Sequence, residues 1–195
     1  MFVDSHCHLN FPELVADLPA VLEAMTANRV THALCISVTL AELPAVLQLA
    51  ADHANLYATV GVHPDTEGAA EPSVADLVAL AARPKVVAIG ETGLDYYRLT
   101  GDLSWQRERF RNHIRAARET GKPLVIHTRS AAADTLAIMR EERAADVGGV
   151  MHCFTETWEV ATAAIEQGFL ERGILGLQPA DFELECGAVV RRRKT

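Results

Sequence analysis

Histidines and one glutamate stand where short apolar segments of the chain end, and their types suit metal binding. His6 and His8 close the first such segment, Glu91 closes a later one, and His127 and His152 close two more. Residues two apart on a strand point the same way, so both imidazoles of the His-x-His pair can reach one ion. Nitrogen ligands with a carboxylate and no thiolate favour a catalytic Zn, Mn, Fe or Mg site over a structural zinc site.

Each of these residues alone has a more ordinary interpretation, as a packed or hydrogen-bonded histidine or as a glutamate that caps a helix. Four strand ends that each carry an imidazole or a carboxylate are poorly explained by chance. Five ligands exceed what one open catalytic ion needs, and the two oxygens of Glu91 can bridge. We therefore predict two divalent ions (Mg, Mn or Zn) roughly 3.5–4 Å apart, the arrangement that hydrolyses esters and phosphodiesters with an activated water. Glu91 is the predicted catalytic residue.

Two further residues are candidates for substrate binding. His63 follows an apolar segment and precedes Pro64, so it can donate to substrate oxygens or serve only the turn. Arg129 stands two residues after His127 and can bind an anionic group bidentately or form a loop salt bridge. The remaining histidines lie at a strand start or on helices and are interpreted as surface or packing residues; they are His32, His53 and His113.

The chain alternates short apolar segments with longer amphipathic ones up to about residue 170, which is typical of βαβ units around a parallel sheet. The apolar segments predict strands near 2–8, 31–38, 56–62, 86–91, 123–128, 148–153 and, most weakly, 169–175. The amphipathic segments predict helices near 15–28, 41–53, 73–82, 103–120, 131–143 and 157–167. Pro44 suits a first helical turn, and Gly121 suits a helix end.

Six or seven such units suit either a doubly wound sheet or a TIM-type barrel, and periodicity alone does not choose between them. A nucleotide-binding doubly wound sheet needs a glycine-rich loop after its first strand, and Ser5 to Asn10 contain no glycine. A barrel carries its chemistry at the C-terminal ends of its strands, where the candidate ligands lie. The expected fold is an α/β, TIM-type (β/α)₈ barrel that is incomplete.

Composition narrows the class of protein further. The chain has 195 residues, of which 49% are hydrophobic and 23% charged, as in an ordinary globular protein. Its net charge of −8 argues against a broad basic surface for nucleic acid, so metal ions would have to attract a polyanion locally. Four cysteines without a CxxC pair, and the lack of a signal peptide or a long apolar segment, indicate a cytoplasmic protein that does not contact membranes.

Several motifs together resemble those of the TatD family of metal-dependent deoxyribonucleases. The matching segments are 4–9, 61–64, 90–97, 106–110, 122–129 and 152–155. The resemblance implies a barrel that hydrolyses DNA phosphodiesters, often from the 3′ end of a single strand. It also implies His6 and His8 on one ion, Glu91 bridging, His127 and His152 on the other, and His63 and Arg129 close to the phosphate.

The resemblance fades near residue 170, and the Glu-Thr-Asp motif of the family's eighth strand is absent. We therefore expect a partial barrel over 1–170 and a divergent tail over 171–195, produced by truncation or a frame shift. Unpaired strand edges would then favour self-association over a stable protein partner. Three functions stay open: an active nuclease on DNA, a small-molecule amidohydrolase or lactonase that uses the same metals, and a non-catalytic remnant. A carboxylated lysine between the ions would favour the second.

Overall fold

Seven parallel strands form a single sheet in the computed structural model, which describes residues 2–171, 182–185 and 189–192. The strands are β1 (Phe2–Cys7), β2 (Val30–Cys35), β3 (Leu56–Val60), β4 (Val86–Asp95), β5 (Leu124–Arg129), β6 (Gly149–His152) and β7 (Phe169–Glu171). Two short strands, β8 (Phe182–Glu185) and β9 (Val189–Arg192), pair with each other in antiparallel fashion. The strand predicted near 169–175 agrees over β7, and its remaining residues lie outside the described ones.

Helices connect the strands in the expected alternation. They are α1 (Pro12–Val15), α2 (Leu18–Ala27), α3 (Leu43–Asp52), α4 (Val74–Ala81), α5 (Ser104–Thr120), α6 (Ala132–Glu141) and α7 (Trp158–Glu166), with a 3₁₀ turn at Ala144–Asp146. The helix predicted near 15–28 corresponds to α2, but it does not run unbroken from residue 15, because Pro19 cannot donate a hydrogen bond within a continuous helix and its ring would meet the carbonyl of Val15. The chain instead begins a new helix at Leu18.

The order of the strands identifies the fold as a TIM-type barrel. The sheet runs from β1 to β7 in chain order, and every neighbouring pair is parallel. A doubly wound sheet would instead reverse its order at a switch point. The expected incomplete barrel is confirmed, and β1 and β7 are the two ends of the sheet within the described residues. All seven strands therefore present their C-terminal ends on one rim.

The core is formed by the strands and by the apolar faces of the surrounding helices. Leu56, Ile89, Leu124 and Ile126 are buried on the sheet, and Phe110 packs on it from α5. At the rim opposite the strand C-termini, lysine side chains satisfy carbonyl groups. The ammonium group of Lys85 donates to the carbonyls of Ala50, His53 and Leu56 at 2.7, 2.5 and 3.0 Å.

Helix ends follow the sequence signals. Gly121 ends α5 in the left-handed conformation (φ +67°), and Pro44 lies in the first turn of α3. Ser73 and Asp76 form a reciprocal capping box at the start of α4. Within the described part of the chain, none of the helices combines the length and apolar character that crossing a bilayer requires.

Candidate metal centre

The first two histidines stand at the C-terminal end of β1. His6 lies on the strand and His8 follows it, and their rings meet edge to face with centroids 5.1 Å apart. Phe11 stacks on the other side of His8 at 4.7 Å and so restricts its ring. Burial lowers the pKa of His8, helped by the nearby His6, and keeps this imidazole neutral. A neutral imidazole is the form that binds a metal ion.

Glu91 stands at an irregularity of β4, and not at the end of the strand as the sequence suggested. Gly90 pairs with Val125 and Thr92 pairs with Ile126, so Glu91 is an extra residue that β5 does not match. A bulge of this kind redirects a side chain. The two flanking glycines are required: a Cβ at Gly90 (φ +138°) would lie 2.4 Å from the Val125 carbonyl oxygen, and one at Gly93 (φ +131°) would lie 2.0 Å from that of His127.

The carboxylate of Glu91 is the centre of the cluster, and this residue is 3% exposed. Its Oε2 lies 3.1 Å from Nε2 of His6, and its Oε1 lies 3.4 Å from Nδ1 of His127 and 3.6 Å from Nε2 of His63. Burial alone would raise the pKa of Glu91, but contacts with these three imidazoles outweigh it and hold the pKa well below the ordinary value. Glu91 is therefore ionised at neutral pH.

Two three-residue groups share Glu91, and in each the candidate ligand atoms lie within 4.8 Å of one another. The groups are His6, His8 and Glu91, and His63, Glu91 and His127. The first group is the one that the sequence assigned to one ion. The second contains His63 in the position that the family resemblance implies for His152.

His152 belongs to the same cluster but in a different way. Its ring lies face to face with that of His6, with centroids 3.3 Å apart and an interplanar angle of 4°. Burial and the neighbouring His6 lower the pKa of His152 to about 4. It is thus a neutral imidazole stacked on a predicted ligand, and its own assignment as a ligand stays a prediction.

A carboxylate behind His127 fixes the orientation of that ring. Oδ2 of Asp95 lies 3.1 Å from Nε2 of His127, while Nδ1 of the same ring faces Glu91. When Nε2 donates its proton to Asp95, the lone pair of Nδ1 is directed toward Glu91. Histidine–carboxylate pairs of this geometry accompany most metal-binding histidines, where they fix the tautomer.

His63 lies between two carboxylates. Nδ1 contacts Asp65 and Nε2 faces Glu91, and Arg98 in turn contacts Asp65. Burial opposes the charged form of His63, but the two carboxylates more than offset this and raise its pKa. His63 therefore holds a proton more readily than an isolated imidazole does.

The donor atoms fit a cation. Nδ1 of His6 and Nδ1 of His8 are buried and have no hydrogen-bond partner among the described residues, while Nε2 of His6 faces the Glu91 carboxylate. Buried polar atoms are rarely left without partners, because the unmade hydrogen bond costs about 1–3 kcal/mol. Lone pairs of this kind next to an ionised carboxylate are what a divalent cation requires.

One face of α5 holds the segment that carries His63. The side chains of this face, the α5 polar stripe, are Gln106, Arg109 and His113, all of which are buried. Gln106 donates to the Pro64 carbonyl at 2.9 Å, and Nε2 of His113 accepts from the backbone N–H of Val62 at 3.1 Å. Sequence reasoning left the role of Gln106 open and treated His113 as a surface or packing residue; the structure shows that His113 is a buried packing residue.

Arg109 makes more hydrogen bonds than either of the other two residues of this stripe. Its guanidinium donates to the carbonyls of His63 at 2.9 Å and Thr66 at 3.0 Å. It also binds the carboxylate of Glu71 with two hydrogen bonds, of 2.8 and 2.5 Å. The chain from 62 to 71 is therefore tied to α5 on both sides of Asp65. One sequence signal points to this arrangement. Gln106, Phe110, His113 and Ala117 follow one another at spacings of three or four residues, so they share the face of α5 that packs inward.

The cluster opens into a cavity of about 670 Å³. Arg129 and Arg98 line it together with His6, His8, Glu91, His63, His127 and His152. All seven residues predicted for the site therefore border one cavity. Sequence reasoning missed Asp65, Asp95, Arg98 and the α5 polar stripe, which contact these residues.

Comparison with known proteins also indicates a metal-dependent hydrolase. Residues 3–177 match the family model described as TatD related DNase. Over 171 residues the chain is 44% identical to the uncharacterized metal-dependent hydrolase YcfH of Escherichia coli K12, which covers 86% of this chain and 64% of that protein. It is 34% identical over 174 residues to the 3′-5′ ssDNA/RNA exonuclease TatD of Citrobacter koseri, with coverage of 89% and 66%.

A solved structure agrees in fold. The structure of YJJV, a TatD homolog of E. coli K12, superposes with a TM-score of 0.79 at 27% identity, covering 87% of this chain and 66% of that one. The chain thus spans about two thirds of the length of these relatives, and 64% in the case of YcfH.

Proposed function

The chain belongs to the TatD family of metal-dependent hydrolases, and from this premise we propose that it hydrolyses phosphodiester bonds at the 3′ ends of single-stranded DNA. The observation that carries the proposal is the convergence of His6, His63 and His127 on the buried carboxylate of Glu91. A relative named as a 3′-5′ exonuclease of single-stranded DNA and RNA supports this choice of substrate.

We assign the ligands by the two groups around Glu91. His6, His8 and Glu91 would hold one divalent ion, and Glu91 with His127 would hold a second. Two imidazoles compete for the third position at the second ion. Distance favours His63, and the sequence pattern favours His152. Ions bound here would lower the pKa of a coordinated water and neutralise charge on the phosphate.

Residues of the chain supply the remaining chemistry. If His152 takes the third ligand position at the second ion, His63 can act on the substrate instead: Asp65 holds its Nδ1, and its Nε2, when protonated, faces the cavity and can donate to a substrate oxygen. Arg129 can neutralise a phosphate beside the ions, which suits a chain whose net charge of −8 would otherwise repel DNA.

The amidohydrolase or lactonase alternative is less well supported. It would use a carboxylated lysine between the ions, and the residues that line the cavity include no lysine in the described part of the chain. Lys85, for example, is bonded to backbone carbonyls at the opposite rim.

The test is release of the terminal nucleotide from 3′-labelled single-stranded DNA, with protein stripped by EDTA and resupplied with Mg²⁺, Mn²⁺ or Zn²⁺. His127→Ala should lose at least about a hundredfold in rate, because it removes a ligand and the partner of Asp95. His32→Ala, a matched change of an exposed histidine, should keep wild-type activity. Equal cleavage by wild type and His127→Ala would mean a contaminating nuclease, and no cleavage by wild type with any metal would reject the proposal.

A further inference from the structure

An exposed aromatic side chain stands beside the cavity without an evident structural purpose. Tyr97 is 65% exposed, although it follows β4 by only two residues. Its neighbour Tyr96 is used structurally, since its hydroxyl donates to Asp134 and accepts from Arg107. No hydrogen bond of the Tyr97 hydroxyl to a described residue is found. A large exposed aromatic at the mouth of a charged cavity is a typical feature of a binding surface.

The position of Tyr97 is fixed relative to the metal centre by one carboxylate. Oδ1 of Asp95 accepts the backbone N–H groups of Tyr97 at 3.0 Å and Arg98 at 2.9 Å. Oδ2 of the same carboxylate contacts His127. The turn that carries the aromatic ring is therefore attached to the residue that orients a predicted ligand, and Asp95 itself is fully buried.

Arg129 connects the ring to the cavity. Its guanidinium carbon lies 4.0 Å from the centroid of the Tyr97 ring, and its side chain lines the cavity. Among residues 2–169 it forms no ion pair with a carboxylate, whereas Arg98 is paired with Asp65. A stacked guanidinium keeps the donors at its edge available, so a phosphate can bind there while the rest of the tyrosine ring stays accessible.

These features match the chemistry of a single-stranded nucleic acid. Proteins bind unpaired strands by stacking bases on exposed aromatic rings beside positive charge. A base inside a duplex is already stacked and cannot lie on the ring. We propose that Tyr97 and Arg129 form a subsite for one unpaired nucleotide, with its base stacked on Tyr97 and an adjacent phosphate bound by Arg129. The inference rests on the proposed nuclease function, whose substrate it specifies.

The test measures binding without cleavage. An 8-mer of thymidylate carries a 5′ fluorophore and phosphorothioate linkages that resist hydrolysis, and further probes replace one of the three 3′-terminal bases with an abasic residue. Fluorescence anisotropy gives Kd for each probe with the full chain in Mg²⁺. At one position, loss of the base should weaken wild-type binding by about fivefold or more, the effect of one base–aromatic stack.

The variants separate stacking from general weakening. Tyr97→Ala should bind the intact probe as weakly as wild type binds the abasic probe with the largest effect. It should also bind the intact probe and that abasic probe equally, while Tyr97→Phe should still distinguish the two. Arg129→Lys should weaken every probe, because lysine lacks the planar fork. Far-UV circular dichroism checks that each variant folds, which the 65% exposure of Tyr97 favours at that position.

Each outcome decides one of the two proposals. Equal Kd for wild type and Tyr97→Ala, wild-type indifference to every abasic probe, or no wild-type binding of the oligonucleotide would overturn the subsite. Base-dependent binding without cleavage of an ordinary 3′-labelled strand would uphold the subsite and reject the nuclease activity.

Discussion

Replacing Arg109 by methionine tests whether α5 supports the candidate metal centre. Arg109 is 1% exposed. Its guanidinium donates to the backbone carbonyls of His63 and Thr66 and to the carboxylate of Glu71. A hydrogen bond from a charged donor contributes about 1.5–3 kcal/mol, so the two carbonyl bonds contribute about 3–6 kcal/mol. The side chain of Glu71 is 45% exposed and can be hydrated again, so its loss of a partner adds little.

We therefore expect Arg109→Met to lower the free energy of unfolding by about 3–5 kcal/mol, a large share of the about 5–15 kcal/mol typical of a domain. Urea unfolding followed by tryptophan fluorescence and by circular dichroism measures this change. The Arg109 guanidinium carbon lies 4.6 Å from the Trp105 ring centroid, so the fluorescence also reports locally. Arg111→Met on the same helix is the matched control. Arg111 is a surface ion-pair residue with Glu141 and Glu142, and the change should cost at most about 1 kcal/mol.

The same variant has a second consequence in the site. Without Arg109 the segment that carries His63 loses two anchors, so metal-dependent cleavage should fall even in buffer where Arg109→Met remains folded. The reasoning would be refuted if Arg109→Met and Arg111→Met had equal stabilities, or if a destabilised but folded Arg109→Met cleaved DNA at the wild-type rate.

Three further predictions concern other buried polar groups. Asp95→Asn should weaken divalent-metal affinity about 10–100-fold, because the amide no longer fixes the His127 tautomer; unchanged affinity by titration calorimetry would contradict this. Burial lowers the pKa of His113 to about 4, so its neutral form stabilises the fold above about pH 6.5, and this stability should be lost as the pH falls toward 4, by up to about 1.4 kcal/mol per pH unit. Urea midpoints between pH 7 and 4.5 should then fall less steeply for His113→Gln, and identical slopes would reject the idea. Lys85→Met removes the ammonium donor of three carbonyls, of which that of His53 still accepts the backbone N–H of Leu56, and it should cost about 2–3 kcal/mol in urea unfolding, an effect that Lys85→Arg should partly restore if charge is what matters.

The alternation of elements was predictable because it follows periodic apolar patterns, and the places of most candidate ligands followed from the ends of the strands. Parallel strands end on one rim, so a histidine or carboxylate at the end of an apolar segment is placed there by topology alone. This reasoning brought His6, His8 and His127 to one rim without any knowledge of distances. It placed Glu91 at a strand end because the apolar signal stops at Gly90, whereas β4 continues past Glu91 to Asp95.

The support of the site could not be foreseen in the same way. An arginine within a charged helix such as α5 is ordinarily a solvated residue, and nothing local to Arg109 shows that carbonyl groups of a distant loop face it. Its partners, His63 and Thr66, lie 46 and 43 residues earlier in the chain. Contacts of this kind are set by the packing of a helix against a loop, which single-sequence patterns do not encode.

Asp95 shows how far residue type can mislead at such a rim. A carboxylate in contact with one of the clustered imidazoles would be assigned as a ligand by chemistry alone, but Oδ1 accepts two backbone N–H groups and Oδ2 faces His127. Its own N–H donates to Gln106 at 2.9 Å. Asp95 thus joins α5, the turn of Tyr97 and the ring of His127, and with both oxygens engaged it has little capacity left for an ion. Glu91, which no backbone N–H group reaches among the described hydrogen bonds, is for that reason the carboxylate that can bind metal.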